Sequence, residues 1–192
     1  MMDKKYFAQI RKKVLDYTKK RRDVIKMSSD IQHWSKKAIF ALQRDDAKYA
    51  DELLVKAKAS IVKLNKTHKN DKRIFCEGSY KAATEEYIEA VLFRQFIAKK
   101  KLGKITGVDI NADIFISCLC DVPGELLRYA IKSATERNFE EVKRCFKVAE
   151  DIIGETMDMN LTGYNRQKFD QSKGALNKLQ HIVYETSLKN NN

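Results

Sequence analysis

The sequence predicts an all-α protein, a single bundle of six or seven helices led by a long basic N-terminal helix. Three observations carry that expectation. One Pro and seven Gly in 192 residues leave few breaks. Ala, Leu, Lys and Glu, all good helix formers, are plentiful. Apolar residues recur at steps of three and four over long stretches, which is the period of a helix and not of a strand.

The first helix is expected over 3–44. Phe7, Ile10, Val14, Tyr17, Val24, Ser28, Ile31, Ser35, Ala38 and Leu42 alternate in steps of three and four, broken only at Arg21, and so form a heptad-like seam. MSSD at 27–30 could end one helix and cap another, but the seam keeps its phase through it, so one continuous helix is expected. At ~1.5 Å per residue it approaches about 60 Å. That is long for a compact monomer, and part of the seam is expected to pack on another subunit. Asp45-Asp46 then caps a second helix, about 46–68, with Ala50, Leu53, Leu54, Ala57, Ile61 and Leu64 inward.

Residues 70–78 read as a short connection. Ser79 is expected to cap a third helix, about 79–101, closed by Lys99-Lys100-Lys101 and Gly103, residues that suit a helix C-terminus. A fourth helical segment covers about 110–136, with a kink or a helix–helix junction at Pro123-Gly124. Its IFISCLC stretch (114–120) is β-like by propensity, but its flanks are helical and no partner strand is in view. Asn138 caps a fifth helix to about 153. The last, about 163–189, sets Phe169, Leu176, Leu179, Ile182 and Val183 on one side, and a disordered tail follows from about 189. The whole of 1–192 is expected to be one domain.

No apolar run is long enough for a signal peptide or a membrane span, so a soluble, cytoplasmic protein without a membrane partner is expected. The four cysteines, Cys76, Cys118, Cys120 and Cys145, include a C-x-C with no histidine nearby. That spacing disfavours zinc and favours reduced, buried thiols. The net charge of +12 is unevenly placed: residues 1–73 hold 21 Lys/Arg against nine Asp/Glu, and residues 74–192 hold 17 of each. Such asymmetry suits a polyanionic partner, most simply a nucleic acid, or else a solvated Lys-rich surface.

Several chemistries lack their usual sequence pattern. No Gly-rich phosphate loop and no E-x-x-H occurs. His33, His68 and His181 fall on different helices, and no Ser or Cys has a recognisable partner pattern. The acidic residues remain. Glu86 and Glu89, at i and i+3, share a helix face about 5–6 Å apart. Asp121 and Glu125, at i and i+4, flank the Pro-Gly pair. Carboxylates so placed are either a solvated face paired with Lys81 or Arg128, or a cluster that a hard cation such as Mg²⁺ neutralises. A cation held in this way can act on a phosphodiester.

Several stretches resemble the translin family. RRDVIKMSSDIQHWSKKAIFALQR (21–44) is similar to the family's N-terminal helix and QSKGALNKLQHIVYETSLK (171–189) to its C-terminal helix. EEYIEAVLFRQFI (85–97) and DVPGELLRYAIKSATERNFE (121–140) are similar to segments of translin-associated factor X, the family's catalytic subunit type. The resemblance implies a helical bundle assembled into a hollow oligomer, commonly an octamer, that binds single-stranded RNA and DNA. It implies a Mg²⁺-dependent (or Mn²⁺-dependent) endoribonuclease, with Glu86, Glu89 and Asp121 as metal ligands and Glu125 as a further contributor to catalysis. Val122-Pro123 stands where the family has Leu-Thr.

Lys19, Lys20, Arg21 and Arg22 of the basic helix, with Lys72, Arg73 and Lys81, are the expected contacts to the nucleic-acid backbone. Trp34 either stacks bases or packs at a subunit interface. Basic helix and acidic residues in one chain point to a self-sufficient homo-oligomer. The alternative is a non-catalytic ring that binds single-stranded RNA or DNA.

Overall fold

The computed structural model describes residues 2–69 and 71–189, with the side chain of Lys189 left aside. Among them lie seven helices and no strand: α1 (Lys4–Gln43), α2 (Ala47–Thr67), α3 (Lys72–Phe75), α4 (Gly78–Ile97), α5 (Ala112–Thr135), α6 (Phe139–Met157) and α7 (Gly163–Lys189). The all-α expectation holds. Beyond Lys189, whose backbone closes α7, the expected tail lies outside the described residues.

Local chemistry explains most boundaries. Asp3, Asp46, Asn111 and Asn138 each accept a hydrogen bond from a backbone N–H in the first turn of the helix that follows. α1 runs unbroken for 40 residues, through MSSD. Its second half buries Val24, Ile31, Ala38 and Leu42. The seam of its first half faces solvent, with Phe7 45%, Ile10 37% and Val14 57% exposed. Asp45 turns the chain into α2 with φ at 61°, held by Tyr129 and Lys132 of α5.

Four expectations need correction. Pro123 lies inside one continuous α5 and makes no junction. The proline forfeits a single backbone bond, and Val122 and Leu126 on either side are fully buried, so packing on the neighbouring helices carries the helix through. α4 starts at Gly78 after Glu77, and Ser79 is not its cap; the Ser79 hydroxyl is buried without a partner. α4 ends at Ile97 because Lys99 turns left-handed at φ 56°, leaving Lys99-Lys100-Lys101 outside the helix. Cys76 is exposed; only Cys118, Cys120 and Cys145 are buried. The connection at 70–78 also contains the short α3, and α6 continues past 153 to Met157.

The helices form two sets. α1, α2 and α4 pack on one another, as do α5, α6 and α7, and α4 against α5 is the principal joint between them. Phe93, Phe96, Leu92 and Ile88 of α4 and Leu126 of α5 are fully buried. Phe93 and Phe96 both meet the ring of Tyr129 edge-on. Burying one large apolar side chain contributes ~1.5–3 kcal/mol, so this joint is a stiff platform. Trp34 packs against the protomer's own core.

Candidate active site

The acidic residues sit at that joint. Glu86 and Glu89 project from α4 one turn apart, between turns anchored by the buried Tyr87, Ile88 and Phe93. Glu125 of α5 is only 7% exposed. Together they line a cleft of about 700 Å³ that α1 walls with Lys36, Phe40 and Gln43 and α5 with Arg128.

Two of the three carboxylates have defined partners. Glu125 accepts from Arg128 Nη1 at 2.9 Å through Oε1 and from Gln43 Nε2 at 2.9 Å through Oε2. Gln43 also reaches the Glu125 backbone carbonyl at 3.0 Å, so one amide fixes both the side chain and its helix. Glu86 lies 3.8 Å from Lys36 Nζ. Glu89 makes no ion pair or hydrogen bond among the described residues. Burial pushes its carboxyl up to about 8, and the charges of Asp121, Glu125 and Glu86 push the same way against a weaker pull from Lys168. Burial also raises Glu86; Lys36 opposes, while Glu125 and Asp121 add to the rise. At neutral pH Glu89 therefore holds a proton unless a cation takes its place.

Asp121 does not line the cleft. Both its oxygens are taken by Lys168 Nζ of α7, at 2.9 and 2.8 Å, although its charge still reaches Glu86 and Glu89. Glu85 faces a separate polar cleft with Lys81, Asp113 and Tyr164. No histidine lines the carboxylate cleft.

An all-carboxylate donor set suits a hard divalent cation, which takes oxygen ligands and keeps several waters. In their present positions, no three His, Cys, Asp or Glu side chains among the described residues converge on one point. Coordination would require Glu86, Glu89 and Glu125 to swing inward, or Lys168 to release Asp121.

The expected nucleic-acid residues divide into two groups. Lys20 pairs with Asp71 at 3.2 Å, Arg21 with Glu77 at 3.0 Å and Arg73 with Asp71 at 3.1 Å. Arg73 also lies 4.2 Å from the centroid of the Tyr17 ring. The hydrogen bond from Arg73, with that from Lys20, holds Asp71 down to about 2. Lys72 shares a shallow pocket of about 420 Å³ with Arg73, Tyr17 and Glu77. Lys19, Arg22 and Lys81 are exposed with no ion pair among the described residues.

Sequence reasoning missed Gln43, Lys36 and Lys168. Lys36 and Gln43 are seven residues apart on α1, two turns of one face, but nothing in α1 alone says which face meets α4. Lys168 lies 47 residues from Asp121, and no local spacing links them.

This all-α architecture, with a carboxylate cleft at the joint of two helix sets and a basic leading helix, belongs to a recognisable class. Residues 19–190 match the sequence model of the translin family, and the chain belongs to that family. It is 29% identical over 166 residues to an uncharacterised protein of Methanocaldococcus jannaschii, covering 82% of this chain and 72% of that protein. Its fold is similar to AfC3PO (TM-score 0.89, 21% identity, 97% of this chain and all of that one). It is similar as well to apo-NeC3PO (TM-score 0.86, 18% identity, 97% and 98% of the two chains). A third similar structure is AfC3PO in a complex with duplex RNA (TM-score 0.85, 20% identity, 97% and 99%).

Proposed function

We propose that the chain is a divalent-cation-dependent endoribonuclease of the translin-associated factor X type, acting on single-stranded or locally unpaired RNA inside a hollow homo-oligomer, an octamer. The observation that carries this reading is Glu89, a half-buried carboxylate without a partner among the described residues, held toward its protonated form first by desolvation and then by three acidic neighbours, on an open cleft. Such a cluster disfavours folding unless protons or a cation neutralise it. Mg²⁺ or Mn²⁺, when bound, supplies Lewis acidity toward a phosphate and toward water.

The chain's own residues do the rest. Glu86 and Glu89 are the expected ligands, joined by Asp121 once Lys168 lets go. Gln43 keeps Glu125 aimed into the cleft, where its carboxylate can take a proton. Lys36 and Arg128 on the rim offset the repulsion between carboxylates and the RNA backbone. Lys19 to Arg22, with Lys72, Arg73 and Lys81, hold flanking phosphates, a salt-sensitive attraction. The exposed seam of Phe7, Ile10 and Val14 supports assembly with further copies, since apolar stripes of this kind mark contact surfaces. That a similar structure contains duplex RNA supports an RNA ligand.

A second reading, a non-catalytic RNA- or DNA-binding ring, is favoured by the Lys168–Asp121 and Arg128–Glu125 pairs, which neutralise two carboxylates without any cation. Labelled single-stranded RNA incubated with the protein in Mg²⁺ or in EDTA separates the two. Cleavage in Mg²⁺ alone, lost in Glu89→Gln, supports the nuclease. Tight, salt-sensitive binding without cleavage supports the ring.

A further inference from the structure

Phe40 is not part of the protomer's core. Its ring is 62% exposed, while its neighbours Ile39, Ala41 and Leu42 are buried in the core. It stands on a stripe formed by Lys36 and Phe40 of α1, one turn apart, with Arg44 at the helix's C-cap beyond them. Lys36 and Phe40 line the cleft that holds Glu86, Glu89 and Glu125. The guanidinium carbon of Arg44 lies 5.4 Å from the ring centroid, and Lys36 Nζ leans toward Glu86 on the other side.

We propose that Phe40 is a stacking platform for an unpaired nucleobase beside the phosphodiester that enters the cleft, with Lys36 and Arg44 taking the phosphates on either side. The proposal rests on reading the cleft as an RNA-cleaving site. Lys36 and Arg44 are about 12 Å apart along the helix axis, which leaves space for one base on the ring between them. An aromatic face accepts any base, so the contact adds affinity without sequence preference. A base can lie on Phe40 only after leaving its own stack, so the platform selects single-stranded or opened RNA over intact duplex. It also supplies attraction that is independent of charge, on the rim of a cleft whose carboxylates repel the backbone.

The competing occupant is a second copy of the chain. The surroundings argue against it. Phe40 is out of phase with the apolar seam through Val24, Ile31, Ala38 and Leu42, and its exposed neighbours on the same face are Lys36, Lys37 and Arg44. Charged residues are depleted at the core of subunit interfaces.

The test uses the full chain in EDTA, so that no RNA is cleaved, with three probes: a short single-stranded RNA, the same sequence as a blunt duplex, and an abasic backbone of equal length. Phe40→Ala is expected to weaken the single strand by about tenfold and the other two by about twofold or less. Phe40→Trp is expected to retain affinity and to lose fluorescence on binding the single strand but not the abasic backbone. Wild-type protein, whose one tryptophan is the core-packed Trp34, gives the baseline. Light scattering is expected to give the same subunit number for all three proteins.

Equal affinity of Phe40→Ala and wild type for the single strand, in a protein that still cleaves RNA, overturns the platform and leaves the nuclease standing. Loss of assembly in Phe40→Ala overturns it in favour of an interface between copies. Failure of wild-type protein to bind any of the probes overturns both readings.

Discussion

Lys168 grips Asp121 by both oxygens, its Nζ 2.9 Å from one and 2.8 Å from the other. The pair joins α7 to α5, outside the lining of the carboxylate cleft but within reach of its charges, and it tunes the negative charge that Glu89 meets. Asp121 raises Glu89 while Lys168 lowers it, so the lysine acts as a built-in counter-ion.

Lys168→Met removes that counter-ion. Mn²⁺ affinity, followed by calorimetry, is expected to rise by roughly tenfold, because one opposing charge that acts on Glu89 and pairs with Asp121 has gone. In EDTA the variant is expected to melt a few degrees below wild type, and Mn²⁺ to restore it by mass action. Unchanged affinity would assign the pair to fold stability alone.

Glu89 makes the cation-free protein sensitive to pH. In the folded chain its carboxyl stays protonated up to about 8, whereas in the unfolded chain it ionises in the ordinary carboxylate range. The unfolded state therefore releases this proton first as pH rises. Stability from this group is complete at the acidic end and falls between about pH 4.5 and 8, with no further loss above. The melting temperature in EDTA is expected to drop across that window, at roughly 2–4 °C per kcal/mol for a chain of this size, and the drop to vanish in Glu89→Gln. A flat profile in the wild type would contradict the half-buried, unpaired state of Glu89.

The basic helix should not contribute evenly to RNA binding. Lys20 and Arg21 are already paired with Asp71 and Glu77, whereas Lys19 and Arg22 are exposed without such partners among the described residues. Replacing Lys19 and Arg22 by Ala is expected to reduce the slope of log affinity against log salt by about 1.4, or about 0.7 for each phosphate contact on a single strand. Replacing Lys20 and Arg21 should change it less. Equal slopes for the two double variants would show that Asp71 and Glu77 release their partners on binding.

Much of the fold was legible because the local signals agree. Asp46, Asn138 and the three-four seam of α1 each name an element whose cap or core face the structure contains. The failures came where a local rule met a tertiary override. Pro123 breaks helices in isolation, but α5 is packed on both sides of it. Lys99 to Lys101 suit a helix end, yet Lys99 has already left the helix.

In the candidate site, the i, i+3 spacing marked Glu86 and Glu89, and the lack of any hydrogen-bond or ion-pair partner among the described residues now distinguishes Glu89 from Glu86 and Glu125. The roles of Gln43, Phe40 and Lys168 arise only when α1 and α7 meet the α4–α5 joint. No spacing within one helix encodes a contact between two.

The most direct test of the nuclease reading is the single-turnover cleavage rate of single-stranded RNA by wild type, Glu86→Gln, Glu89→Gln and Glu125→Gln, with RNA affinity measured in parallel. The expected result is Mg²⁺-dependent cleavage by the wild type that falls by about 100-fold or more in Glu89→Gln, with RNA affinity held within about twofold because the lysines and arginines that bind the backbone are untouched. Undiminished cleavage by Glu89→Gln, or cleavage by the wild type that survives EDTA, would contradict it.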